Sequence, residues 1–521
     1  MSTLTKRGRI LVIIGMLLGM LMASLDNTIV STAMPTVVSQ LGGLEIFSWV
    51  FTAYLLTSTT FIPIFGKLAD LYGKKLFYML GLAVFIIGSA LSATSQTMFQ
   101  LILYRAVQGI GAAAMFPITF AMIMEVFPPE KRGKMQGLFS AVFGISAVAG
   151  PTLGAYFTDF LSWHWIFLIN VPLGLIALLF IGGYYKEMPR EKRKVVIDYA
   201  GAFTLSFAIV SLILGLVMGG KDFSWDSWQI LSMLIGSGLL LVLFFWIEAK
   251  ANEPIIPLSL FNKGVTSATF SSFFQGVIMI AASSYIPLFI QGVLGGSASN
   301  AGNLLTPMML SLVAGSTIGG LLMGKISFRP IMIAASIVMA VGTYLLSQID
   351  MTTSNSYMVL SMIVLGLGLG PLMPVTMMLT QTSVGPKNIG VGTSLIAFFR
   401  NIGMALGVSI LGVIVNNRIA DTLSQTMGNM AGQFGGNQDA QVLFSAEAKA
   451  MIPPPVFQKL QEGLGNAITD VFVVCIGITV ILFLLAFLAG KARLVKKEGP
   501  EVRQAEQGKE VSPVIVEAAR E

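Results

Sequence analysis

The sequence predicts an all-α polytopic membrane protein, and three observations carry that prediction. Only 57 of the 521 residues are charged, or 11%, while 55% are hydrophobic; a water-soluble chain carries about 25% charged residues. The apolar residues fall in long runs without the strict alternation of strands. The cations gather in short clusters between those runs. The net charge of +7 therefore marks loops beside a lipid bilayer and not a nucleic-acid-binding face.

A helix needs about 20 mostly apolar residues to cross the hydrocarbon. The first run, near 10–33, follows Lys6, Arg7 and Arg9. A cleaved signal peptide is the rival reading. The run is about 24 residues long, contains Asp26 and offers no clear cleavage site, so a retained helix is expected. Runs near 47–66, 76–94, 98–123, 135–157 and 166–184 bring the count to six. Two follow near 198–218 and 229–248, and six more near 266–290, 300–323, 330–347, 356–379, 389–415 and 467–489. If fourteen helices alternate across the bilayer, 26 of the 32 cations fall on the side of the termini. Four (Lys221, Arg418, Lys449 and Lys459) fall opposite, and Arg105 and Arg400 stay embedded. That bias places both termini in the cytoplasm of a multi-pass protein of the plasma membrane. An omitted or invented helix would reverse every later assignment and spoil it.

The chain also repeats itself. GKLADLYGKK, from Gly66 to Lys75, is echoed by GKISFRP, from Gly324 to Pro330, and PEKRGKMQG before the fifth run by PKNIGVGTS before the thirteenth. The offset is about 257 residues in both cases. The expected organisation is a six-helix half at 1–186, two inserted helices with cytoplasmic linkers at 187–264, and a second six-helix half at 265–490. That second half contains an external loop at 416–466 with Pro453, Pro454 and Pro455, and a charged, disordered tail follows at 491–521. Six-span repeats suggest a transporter whose site lies at the repeat interface near mid-membrane.

Several motifs make the resemblance specific. Gly66-x-Leu68-Ala69-Asp70-x-x-Gly73-Lys74-Lys75 is similar to the loop motif of the major facilitator superfamily, and Leu103 to Gly111, containing Arg105, to its helix-four arginine motif. Gly144, Gly150-Pro151 and Gly154 resemble the helix-five antiporter motif, with Ala155 where a second glycine is usual. Leu25 to Val30 and Trp163 to Pro172 resemble the fourteen-helix drug:proton antiporter branch, as in Gram-positive bacterial multidrug exporters. The resemblance covers all fourteen helices. It implies a major facilitator fold, small-molecule drug substrates, protons as the coupled ion, and a monomer.

The motifs also read physically. Gly66 and Gly73 allow close helix approach and a tight turn, and Asp70 is suited to face the partially positive N-terminus of a helix. By the resemblance that end lies near Asn388–Gly390, with Arg132 nearby, forming with Lys74 a cytoplasmic latch that holds an outward-facing state. The echo at 324–330 lacks the acid. Gly150 and Gly154 form a small-xxx-small face for close packing, and Pro151 removes a helix hydrogen bond. The resemblance assigns this element to antiport, and pure packing is the alternative.

Embedded charges are costly and read as functional. Asp26 and Arg105 come within about one turn of the same depth. Asp26 offers a carboxylate that protonates when buried and ionises near a cation, with Arg105 tuning it or relaying its proton. A structural ion pair is the bland alternative. Arg400 has three readings: it counters an acidic substrate group, snorkels, or neutralises Asp26. Depth nominates Tyr54, Phe61, Met115, Phe274, Gln275 and Met373 as pocket walls, with packing as the alternative for each. Glu125 falls at the cytoplasmic end of the fourth run and suits an interfacial position; Asp198, Glu248 and Asp470 fall at helix ends and suit capping or solvation, and His164 suits an interfacial anchor beside Trp163 and Trp165.

Other chemistry finds little support. One Cys (Cys475) and one His do not make a zinc site or a Cys–His pair. Gly366-x-Gly368-x-Gly370 lies in an apolar span and follows no strand, and no GxxxxGK[ST] sequence occurs. No cofactor and no enzymatic activity are expected. The leading function is proton-coupled export of multiple lipophilic, often cationic drugs. The alternatives are export of one endogenous metabolite, peptide or lipid in the same fold, and less strongly a membrane sensor or a passive channel.

Overall fold

The computed structural model describes residues 5–43, 45–187, 197–220, 222–296, 298–427 and 454–490. Among them are fourteen helices long and apolar enough to cross a membrane. They are α1 (Lys6–Leu41), α2 (Trp49–Tyr72), α3 (Lys74–Ser92), α4 (Met98–Val126), α5 (Pro129–Phe160), α6 (Asn170–Tyr184) and α7 (Tyr199–Met218). Then come α8 (Trp228–Glu248), α9 (Lys263–Leu288), α10 (Ala298–Leu322), α11 (Phe328–Ser347), α12 (Asn355–Ser383), α13 (Ile389–Met427) and α14 (Pro454–Leu488). A short turn of helix, Trp165–Leu168, leads into α6, and the two together make the 20-residue crossing Trp165–Tyr184. No strand occurs among the described residues.

Local chemistry sets several starts. Thr97 accepts from Gln100 N at 3.2 Å before α4, Asp198 from Gly201 N at 2.8 Å at α7, and Asn262 from Gly264 N and Val265 N at 3.0 Å before α9. Each side chain satisfies a backbone N–H that the first turn leaves without a partner. Proline opens α5 at Pro129 and α14 at Pro454, where a missing N–H costs nothing.

The helices α1–α6 pack on one another as one group and α9–α14 as another. The pairings repeat with an offset of eight: α1 on α5 and α6 matches α9 on α13 and α14, while α2 and α3 on α4 match α10 and α11 on α12. The groups meet along two related seams, α5 against α10 and α2 against α13. Helices α7 and α8 pack on each other, and α7 lies over the α2–α13 seam. The most apolar 18-residue stretch of α4 is 83% buried and that of α8 only 17%, so α4 is central and α8 faces lipid.

The expected 416–466 loop is shorter than the sequence suggests. The helix α13 continues to Met427 and α14 begins at Pro454, and an exposed pair at 2.8 Å joins Arg418 of the α13 extension to Asp470 of α14. Apolar length measures only the hydrocarbon crossing, whereas a helix continues through polar residues beyond it. Residues 428–453 of that loop, with Pro453, and the 491–521 tail lie outside the described residues.

Candidate functional site

The sequence places Asp26 on α1 and Arg105 on α4, and the packing brings them into contact. Asp26 is 1% exposed, and Arg105 and Gln108 are fully buried. Arg105 Nη1 donates to Asp26 Oδ2 and, at 2.7 Å, to Gln108 Oε1. Gln108 Nε2 donates to Asp26 Oδ1 at 2.7 Å. Both carboxylate oxygens therefore have donors. The guanidinium lies over the Tyr54 ring, Cζ to centroid 4.2 Å, and its Nε donates to Val50 O at 3.4 Å. Arg105 Nη2 is buried without a hydrogen-bond partner. Tyr54 is thus the floor of this cluster, its hydroxyl donating to Ala23 O at 3.5 Å. Gln108 received no role from the sequence. Its position three residues after Arg105, on the same helix face, is the signal that points to it.

The helix α5 touches two neighbours through glycine. Near the middle, a Cβ on Gly144 would strike the Val313 side chain of α10 and come within 2.8 Å of Met309 O. Further along, Cβ atoms on Gly150 and Gly154 would strike the hydroxyls of Thr28 and Thr32 on α1. Thr28 Oγ1 donates to Leu25 O at 2.9 Å and to Ser146 O, across to α5, at 3.1 Å. The glycine face therefore seats α5 two residues from Asp26. Pro151 lies inside α5 on an exposed side.

One end of the bundle carries the Gly66–Lys75 and Pro129–Lys134 turns and is called the basic face. There Asp70 accepts from Gly390 N and Val391 N, both at 2.8 Å, capping α13. A Cβ on Gly66 would strike Ser394 Oγ and lie 2.8 Å from Gly390 O. Gly73 adopts φ +127, a conformation that favours glycine, between α2 and α3. Arg132 donates to Met124 O at 2.7 Å and Phe127 O at 3.1 Å, closing the end of α4. Lys74 pairs with Glu125, which also accepts from Tyr185, and Lys74 N donates to Glu187 at 2.6 Å. Lys67 pairs with Glu253 of the α8–α9 linker at 3.2 Å.

Other hydrogen bonds between the two groups lie nearby. Gln136 donates to Gln381 at 2.7 Å, Gln381 to Phe120 O at 2.9 Å, Ser316 to Gly137 O at 3.2 Å, and Asn401 to Thr59 at 3.3 Å. All fall at mid-depth or toward the basic face.

The nominated wall residues separate. Met115 is fully buried, whereas Phe116 is the one residue of Gly111–Phe120 that is not. Phe116 stacks on Phe143 of α5, centroids 4.7 Å apart, and the Arg400 guanidinium lies over Phe143 at 5.1 Å. Gln275 donates to Leu369 O at 2.8 Å inside the second group, and Met373 is 5% exposed. Phe61 packs with Phe65 beside α13. Phe274 lines a lateral cavity of about 280 Å³ between α7, α8, α9 and α13, walled by apolar side chains including Phe244, Phe270, Phe398 and Phe399. Phe116, Phe143 and this lateral cavity were not foreseen, because an aromatic residue in an apolar span looks like any other core residue.

Of two nominated helix-end acids, Asp470 is solvated, whereas Glu248 is 4% exposed and binds linker backbone instead of capping a helix. Glu248 accepts from Ile255 N at 3.0 Å and Ile256 N at 3.3 Å, while Asp470 takes the exposed pair with Arg418. His164 stacks on Trp163 at 3.9 Å and shares a 2.7 Å hydrogen bond with Ser162; partial burial holds its pKa below the usual value. Among the described residues, no group of His, Cys, Asp or Glu is arranged to hold a metal.

The model of the Major Facilitator Superfamily matches residues 16–408. Multidrug resistance protein 3 of Bacillus subtilis (strain 168) is 41% identical over 489 residues, 93% of this chain and 95% of that protein. Multidrug transporter protein MdtP of the same organism is 39% identical over 480 residues, 89% of this chain and 88% of that protein. Among solved structures, the human organic anion transporter MFSD10 (TETRAN) matches with a TM-score of 0.61 at 15% identity, covering 92% of this chain and 99% of that one. At that identity the likeness speaks for the fold alone. The extent of the family match and the near full-length relatives establish that this chain belongs to the major facilitator superfamily.

Proposed function

We propose that this protein is a proton-coupled exporter of multiple lipophilic drugs, a monomer working by alternating access in the plasma membrane. Its organisation is two six-helix halves, 1–186 and 265–490, with α7 and α8 inserted between them. The basic face is cytoplasmic, which follows from the cation bias. The observation that carries the proposal is the buried Asp26–Arg105–Gln108 cluster, in a chain 41% identical to Multidrug resistance protein 3 over nearly its whole length.

A carboxylate at membrane depth is stable as an anion only while its donors hold it. Protonation of Asp26 from the outer side weakens its hold on Arg105 and Gln108, and that change is the coupling step. The Thr28–Ser146 contact passes it to α5, whose other glycine face meets α10 across the seam. In the opposite phase, loss of the proton to the cytoplasm restores the cluster. Asp70 holds the α2–α13 seam closed on the cytoplasmic side, and Gly66 permits the contact.

Everted vesicles with an imposed proton gradient test this reading. Addition of drugs of several chemical classes is expected to collapse the gradient, and Asp26→Asn to abolish the collapse. Coupling that survives in Asp26→Asn sinks the assignment. A response to a single compound class favours the single-substrate alternative.

A further inference from the structure

Arg400 is the one embedded cation whose purpose the coupling cluster does not explain. It lies eleven residues past the start of α13 at Ile389, about 16 Å into the bilayer at 1.5 Å per residue. Of its three readings, two lose their basis. Asp26 already has a donor on each oxygen, from Arg105 and Gln108. The guanidinium does not reach for an interface either, because it lies over the ring of Phe143 at 5.1 Å. Among the described residues no carboxylate pairs with it.

Its surroundings are those of a prepared site. Phe143, stacked on Phe116 at an interplanar angle of 17°, belongs to the first helical group, while Arg400 belongs to the second. The cation and its platform therefore face each other across the division between the groups. Arg400, Phe116 and Phe143 are all half-buried, while Val391–Phe398 before Arg400 and Gly111–Met115 before Phe116 are buried. The Asn401–Thr59 bond is the neighbouring link between the groups, so Arg400 sits at their junction and remains partly accessible. Its backbone is fixed from behind. Cβ atoms on Gly276 and Gly403 would strike Arg400 O and Phe273 O, so α9 and α13 meet backbone to backbone at this turn.

A guanidinium offers five N–H donors in a planar fork that matches a carboxylate and also stacks on aromatic rings. At mid-membrane an unpaired cation is costly, and an anionic ligand lowers that cost. We propose that Arg400, with the Phe143–Phe116 stack, forms a substrate subsite for the carboxylate of an aromatic organic acid. The carboxylate takes the fork and the flat apolar body lies along the rings. This rests on the export reading and extends it to substrates that carry an acidic group, zwitterions included.

A matched series sharing one bicyclic aromatic body, as the carboxylic acid, its primary amide and the corresponding amine, tests the subsite. Uptake into everted vesicles is measured for each compound, with KM and maximal rate. The wild type is expected to take the acid with a KM at least tenfold below that of the amide. Arg400→Gln is expected to lower that discrimination to about unity, and Arg400→Lys, with charge but no fork, to restore part of it. Equal KM for acid and amide in the wild type overturns the subsite whatever the variants do. A variant that changes all three compounds by one common factor overturns it too. Uptake of the amine without the acid overturns the subsite and leaves export standing, whereas uptake of none overturns both.

Discussion

At the scale of single residues, the Asp26 cluster combines two demands that oppose each other. A buried ion pair costs desolvation on both sides, and removing one partner leaves the other charge uncompensated at about 3–5 kcal/mol. Asp26→Asn should therefore lower thermal stability in detergent as well as abolish coupling, because Arg105 remains buried with one nitrogen already lacking a partner. The double variant Asp26→Asn with Arg105→Gln removes the stranded charge. It is expected to recover most of the lost stability while proton coupling stays absent. If the double variant is as unstable as the single one, the stability loss does not come from the uncompensated Arg105. The pair was legible from sequence because charges at depth are rare. Gln108, which completes it, was not, because an amide among the many Ser, Thr and Gln residues of the apolar spans gives no such contrast of charge; only its three-residue spacing from Arg105 marks it, by about one helical turn.

At the scale of elements, α5 shows how a packing face comes to lie beside a chemical group. Gly150 lets α5 approach the Thr28 hydroxyl, and Thr28 is two residues from Asp26. A methyl group there must displace Thr28, so Gly150→Ala is expected to cost about 1–3 kcal/mol as an overpacked contact. Its readout is the ratio of protons moved to drug exported, which should change in the variant. A normal ratio with lowered stability would reduce the glycine to packing. Helix positions were legible from hydropathy, but their ends were not. The extensions of α13 to Met427 and α14 back to Pro454 run through polar residues that hydropathy does not count. The placement of α7 over the α2–α13 seam was also hidden, since an apolar helix carries no mark of which neighbours it meets.

At the scale of the molecule, the two seams are related by the internal repeat but are closed by different chemistry. At α2–α13 an acid caps the facing helix: Asp70 satisfies the N–H groups of Gly390 and Val391. At α5–α10 the echo has no acid, and the contact is made by glycine, with a Cβ on Gly320 coming within 2.6 Å of Gly133 O and Ser316 donating to Gly137 O at 3.2 Å. A capping bond can be lost in one step, whereas glycine packing separates only when the helices move apart. On the proposed export cycle, the α2–α13 seam is therefore the one whose chemistry sets how long the basic face stays closed. Loss of a helix cap costs about 0.5–2 kcal/mol, and 1.4 kcal/mol corresponds to about a tenfold shift in population. Cys475 is buried and its replacement by Ser leaves a background without thiols. In that background a cysteine at Ser394, buried against Gly66, reports opening of the seam through its rate of alkylation. Asp70→Ala is expected to raise that rate several-fold, up to about tenfold for a cap worth 1.4 kcal/mol. A cysteine at Ser316, on the other seam, should respond to the same variant in the same direction, because rigid rocking opens both seams together. Faster labelling at Ser394 alone would mean that α13 frays locally, and the latch would then be a feature of one helix end rather than of the whole transport cycle.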